Sequence, residues 1–109
     1  MKKLLLFLTL ATAGNISRAQ TTNIPDPAFE ERLIFLNIDS DGIVNAQVLT
    51  SDLEVTELSI ISEMDLTDLT GIEDFANLEE LRVAHTSITD LDVSHNLNLK
   101  KLYCSSNKL

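Results

Sequence analysis

Asn37, Asp39 and Asp41 stand at positions one, three and five of "NIDSDGIVNAQV", residues 37–48. That is the ligand spacing of a twelve-residue calcium loop, with Gly42 at the sharp turn and Val44 at the apolar eighth position. The twelfth position, where such a loop needs a bidentate acid, is Val48, so two oxygens and a full charge are missing. The stretch therefore reads as an Asp/Gly turn leaving a helix, with weak calcium binding as the subordinate alternative. No metal is expected, and calcium should leave stability unchanged.

The other chemically capable groups are dispersed. His85 and His95 have no cysteine or carboxylate spaced to join them and read as solvated turn residues. A single cysteine, Cys104, permits no internal disulfide. There is no Gly-rich phosphate loop, no H-E-x-x-H and no recognisable Ser/His/Asp grouping. The 17 acidic residues offer no carboxylate pair to single out. Neither catalysis nor a cofactor is expected.

What remains is a surface for binding, and its placement follows from an internal repeat. "LEELRVAHTSI" (78–88) aligns with "LKKLYCSSNKL" (99–109) at a shift of 21 residues. Leu78 falls on Leu99, Leu81 on Leu102, Val83 on Cys104, Thr86 on Asn107 and Ile88 on Leu109. At a shift of 23, Val55, Leu58 and Ile60 join the set. Leu66 arrives one residue late, which implies a bulge in the first repeat. The shared template is L-x-x-L-x-L-x-x-N-x-L.

In L-x-L, two apolar side chains point inward from a short strand and the residue between them points out. The spacing predicts three parallel strands centred on Ser59, Arg82 and Tyr103, with Glu57, Glu80 and Lys101 beside them on the outward face. Glu80 should face Lys101, and Arg82 should lie over the Tyr103 ring. Cys104 takes an inward slot as a small buried hydrophobe. Asn107 fills the turn position that bonds neighbouring backbone, and Thr86 and Glu63 fill it more weakly. On the returning side, Leu66, Leu69, Ile72 and Phe75, then Ile88, Leu91, Val93 and Leu97, should close the core.

The front of the chain differs. Residues 1–19 have a basic start (Lys2, Lys3), an apolar run from Leu4 to Ala13 and Ser17-Arg18-Ala19 before a cut, the layout of a secretory signal peptide. The run is too short to span a bilayer. Cleavage after Ala19 leaves Gln20 first, with five bases against 17 acids, or −12. That charge excludes nucleic acid and anionic membranes as partners. Asp26 can cap a helix starting at Pro27, with Phe29, Leu33 and Leu36 on one face. Ser51 and Glu54 have capping-box spacing for a second short turn.

With "IPDPAFEERLI", "VLTSDL", "VTELSI", "DLTGIEDFANLEEL" and "TSITDLDVSHNLNLKKLYCSSNKL" in view, residues 24–109 resemble the start of a secreted bacterial leucine-rich repeat protein of the internalin-like type. The resemblance implies an α/β fold: a right-handed solenoid of short parallel strands behind a small helical N-terminal cap. It divides the chain into signal peptide (1–19), cap (20–54) and about two and a half repeats (55–109). It implies a non-enzymatic, secreted or cell-surface module that binds protein or glycan on its concave face, through Glu57, Ser59, Glu80, Arg82, Lys101 and Tyr103. A truncated fragment without its own binding activity is the alternative. The last strand, "KLYCS", is an open edge at which end-to-end self-association is expected.

Overall fold

The structure, a computed structural model, describes residues 20–109. The expected signal peptide and its cleavage site after Ala19 lie outside the described residues.

Helix α1 spans Pro27–Phe35. Asp26 caps it, its Oδ1 accepting the Ala28 amide at 2.9 Å. Pro27 occupies the first helical position, where a missing N–H costs nothing. Phe29 and Leu33 are wholly buried, and Leu36 packs on the core from its edge. Strand β1 (Thr21–Asn23) pairs antiparallel with β2 (Gln47–Leu49), Thr22 opposite Val48. This pair was not legible in the sequence, because three residues are too few to show alternation. A 3-10 turn follows at Thr50–Leu53, where a short turn was expected, but its capping position is Leu49 and no side chain caps it. The Ser51–Glu54 box does not form there.

Strands β3 (Glu57–Ile61), β4 (Glu80–Ala84) and β5 (Lys101–Tyr103) form a parallel sheet in that order. Leu58 lies opposite Leu81, and Leu81 opposite Leu102. Each crossing therefore consumes one repeat, and successive coils stack. Leu58, Ile60, Leu81 and Val83 are buried, as period-two alternation requires when one sheet face is covered.

Each strand ends in the same left-handed residue: Ser62 (φ 65°), His85 (φ 57°) and Ser106 (φ 60°). The next residue fills the expected turn slot. Asn107 Nδ2 donates to the Val83 carbonyl of the preceding coil at 2.7 Å and to Cys104 O at 2.8 Å. Its Oδ1 accepts from the Thr86 amide at 3.1 Å and from the Thr86 hydroxyl at 2.6 Å. One side chain thus satisfies polar groups that no helix or long strand would reach.

Leu66, Leu69, Ile72, Phe75 and Ile88 are buried on the returning side, and Leu91 and Val93 half-buried. Leu97 departs from expectation: it is 87% exposed. The inward position belongs to Asn96, which is buried and donates to Ile72 O at 2.9 Å and Phe75 O at 3.2 Å. Two carbonyls of the coil below need donors there, and leucine supplies none. Cys104 is half-buried rather than buried; among the described residues, β5 has a strand on one side only.

The cap is joined to the first coil by polar and apolar contacts. Asp26 Oδ2 accepts the amides of Thr67 and Asp68, both at 2.9 Å. The Thr22 hydroxyl donates to Asp74 Oδ2 at 2.7 Å. The rings of Phe29 and Phe75 stack with centroids 6.1 Å apart. Between Leu69 and Ile72 the first coil has Thr70 and Gly71, where the second has Asp92 alone between Leu91 and Val93. Gly71 takes φ 109°, and a Cβ there would lie 2.2 Å from Ile24 Cδ1 and 2.8 Å from the Asn23 carbonyl. Ile24 is wholly buried and cannot swing aside. Among the described residues, no helix is long and apolar enough to cross a membrane.

Gly71→Ala is expected to cost about 2–4 kcal/mol by chemical denaturation, combining left-handed strain with overpacking. Gly42→Ala, also left-handed but with nothing within 4 Å of the added carbon, should cost less. Equal losses would show that the Gly71 contact yields freely.

Candidate functional site

The outward sheet face carries the six residues that the repeat spacing singles out. In register, Glu57 lies beside Glu80 and Glu80 beside Lys101; Ser59 lies beside Arg82 and Arg82 beside Tyr103. The backbone amides that hold this register are repeated too: Glu79 N donates to Thr56 O, and Lys100 N to Glu79 O, each at 2.7 Å.

Arg82 organises the face. Its guanidinium carbon lies 4.3 Å from the Tyr103 ring centroid, a cation–π geometry that contributes about 0.5–1 kcal/mol at an exposed site. Its Nε and Nη2 both reach Glu80 Oε2 at 2.9 Å. Glu80 faces Lys101 in register, as the spacing predicts, while its carboxylate is engaged along its own strand. A residue two along the same strand shares the face, and a guanidinium offers two donors to one carboxylate. Lys100 reaches Glu79 at 3.5 Å, on an exposed edge where such a pair contributes little. A groove of about 270 Å³ runs past Thr56, Glu57, Glu79, Glu80, Lys100 and Lys101.

The calcium-like loop is arranged as a turn. Asp41 Oδ1 accepts the Ile43 amide at 2.8 Å, and its Oδ2 accepts Asn45 Nδ2 at 3.1 Å. The Ile43 bond, first, holds the Asp41 carboxyl below its ordinary value. Asn37 leaves the helix with φ 60° and is exposed. Among the described residues, no three His, Cys, Asp or Glu side chains are grouped to hold a metal. The residue that sequence reasoning missed is Glu30, wholly buried, whose Oε1 accepts the amides of Asn45 and Ala46 at 3.1 and 2.8 Å. Its place one turn into a helix gave no signal of burial. Asp39 is buried beside it; burial, then contact with the Glu30 and Asp41 side chains, pushes the Asp39 carboxyl up to about 7.

The returning side gathers a second set that sequence scattered around turns. Asp68, Glu73, Asp90, Asp92 and His95 line a cleft of about 370 Å³. Only a shift of 22 residues, which places Asp68 over Asp90, hints at it. Each aspartate contact seen there closes a local turn: Asp68 Oδ1 accepts from the Thr70 amide and Asp92 Oδ1 from the Ser94 amide, both at 2.9 Å. The Ser94 side chain, and then its amide, hold the Asp92 carboxyl below its usual value. No nucleophile–base pair is assembled in this cleft.

Stability should follow Asp39 between mildly acidic and mildly alkaline pH. A carboxyl raised in the folded state binds a proton that the unfolded chain has lost, so stability declines as pH rises from the ordinary aspartate range through about 7. The thermal midpoint of the full chain should be higher near pH 5 than near pH 8, and Asp39→Asn should flatten that profile. A wild-type profile already flat across the range would contradict the assignment.

No family model matches the chain, and no curated protein does. Solved structures do, among them three from Listeria monocytogenes, each at 30% identity. An internalin, inlF, superposes with a TM-score of 0.66 over 77% of this chain and 24% of its own. The functional domain of InlJ, which includes a cysteine ladder, gives 0.66 over 87% and 21%. Internalin C2 gives 0.67 over 85% and 42%. The chain thus spans less than half the length of each. Its fold is an internalin-like leucine-rich repeat fold.

Proposed function

We propose that this chain is a non-enzymatic recognition module, exported by a bacterium and acting outside the cell or on its surface. Residues 1–19 direct export, 20–54 cap the core, and 55–109 form the first coils of a right-handed solenoid. A protein partner docks on its concave face, through Glu57, Ser59, Glu80, Arg82, Lys101 and Tyr103. The neighbours are longer than this chain, and a face built by stacking extends with every added coil.

The observation that carries the reading is the Glu80–Arg82–Tyr103 arrangement. An exposed arginine fixed by a carboxylate on one side and an aromatic ring on the other loses little side-chain entropy when a partner docks. Arginine and tyrosine are also the residue types enriched where binding energy concentrates. Arg82 covers one face of the Tyr103 ring, which halves the aromatic surface on which a sugar ring could stack and favours a protein partner over a glycan.

The immobilised full chain should be screened against arrayed extracellular proteins and arrayed glycans. A protein ligand should emerge whose affinity falls at least about tenfold in the Arg82→Ala, Tyr103→Ala double variant, with the thermal midpoint lowered by only about the few degrees that loss of the cation–π contact accounts for. Unchanged affinity would move the site off this face. Ligands found only among glycans would overturn the choice of partner.

A further inference from the structure

Between α1 and β2, Asp39 alone is buried, and every residue from 40 to 46 is exposed. No apolar side chain seats residues 40–46 in the core, so polar contacts hold them. Glu30, wholly buried on α1, accepts the Asn45 amide through both oxygens, at 3.1 and 3.2 Å, and the Ala46 amide through Oε1 at 2.8 Å. Asp39, 4% exposed, is in contact with the Glu30 side chain. At the surface, Ser40 donates to Asp52 Oδ2 from its amide at 3.0 Å and its hydroxyl at 2.7 Å.

Two carboxyls buried side by side are not both ionised, because each charge loses water and meets its like. No base offsets them. Arg32, the base of α1, turns away to the Ile61 carbonyl and Glu63. The joining segment adds Asp41 and no base, the 3-10 turn adds Asp52, and β1 and β2 add no titratable group. Glu30 is the ionised partner, since amide donors stabilise a carboxylate. Asp39 Oδ1 accepts the Asp41 amide at 3.4 Å, while Oδ2 is buried with no partner among the described residues. A proton on Oδ2 turns it into a donor to Glu30, a charge-assisted bond that satisfies both side chains.

We propose that Asp39 and Glu30 share one proton and that this proton latches residues 39–46 to α1, so that its loss frees the segment while the helix and the coils stay folded. The segment gives way rather than the helix, because Phe29 and Leu33 fix α1 in the core. Gly42, at φ 65° with open space about it, gives the segment a place to bend. In the freed segment Asp39 titrates in the ordinary aspartate range, and in the latched one at about 7. The latch therefore holds in full below that ordinary range, weakens as pH rises towards about 7 and weakens no further above it. An acidic medium closes this rim of the cap and a neutral one loosens it.

Two NMR measurements on the full chain test it. The first is amide hydrogen exchange at pH 5 and pH 8, corrected for the intrinsic dependence of exchange on pH. Protection of Asn45 and Ala46 should fall at least about tenfold from pH 5 to pH 8 and stay below that of Leu81 at both. Equal protection at the two pH values would overturn the latch. Exchange of Asn45 and Ala46 at the rate of Leu81 would mean that the whole fold opens at once, and would overturn the separate release. The second is a carbon-13 titration of the side-chain carboxyls. Asp39 should titrate near 7, and at least about one pH unit lower in Glu30→Gln, whose side-chain amide donates to an ionised Asp39. An Asp39 midpoint unmoved by Glu30→Gln would leave burial as the whole cause and overturn the shared proton.

Discussion

Stacked short coils face one constraint before any other: the backbone groups between strands must find partners in the next coil. Strands of three to five residues bond only their own length, and the described returning segments contain no α-helix. Unpaired buried amides and carbonyls would cost more than the apolar rows return. The chain meets this with polar side chains aimed inward at fixed places. Asn107 serves Val83 and Thr86, Asn96 serves Ile72 and Phe75, and Asp26 serves Thr67 and Asp68. Each spans a boundary between one stacked layer and the next.

The outward face is a consequence of that stacking. Once backbone bonds fix the register, alternation decides which side chains meet in rows. Arg82 meets Tyr103 because both follow the first leucine of their L-x-L pairs, not because either attracts the other across a distance. The cap obeys the same rule at the other end. Its helix covers the first coil with Phe29 and Leu33, and Gly71 lets β1 approach the returning segment closely enough for Ile24 to fill the gap.

Sequence reading was strongest where one interaction repeats. The 21- and 23-residue shifts specify strand register, inward leucines and outward partners, since a one-residue slip would expose every leucine. It was weakest where a polar residue takes an apolar slot. Asn96 was passed over for Leu97 because hydrophobicity marks burial only when carbonyls below need no donor. The burial of Glu30 and Asp39 is illegible for the same reason: it depends on amides and carboxyls brought together by the fold, at no fixed spacing. The β1–β2 pair left no pattern because its strands are too short. Of the outward face, the residues were legible and the pairing of Glu80 was not, since the choice between Arg82 and Lys101 is made by side-chain reach.

The central claim, that coils are held by backbone bonds on both sides of the middle strand, is tested most directly by amide hydrogen exchange of the full chain, followed residue by residue. The amides of Leu81–Val83 should exchange most slowly, because β4 is bonded to β3 and β5 at once and opens only with the whole stack. Faster exchange there than in α1 would contradict the account, since it would mean that the cap folds alone and the coils do not support one another.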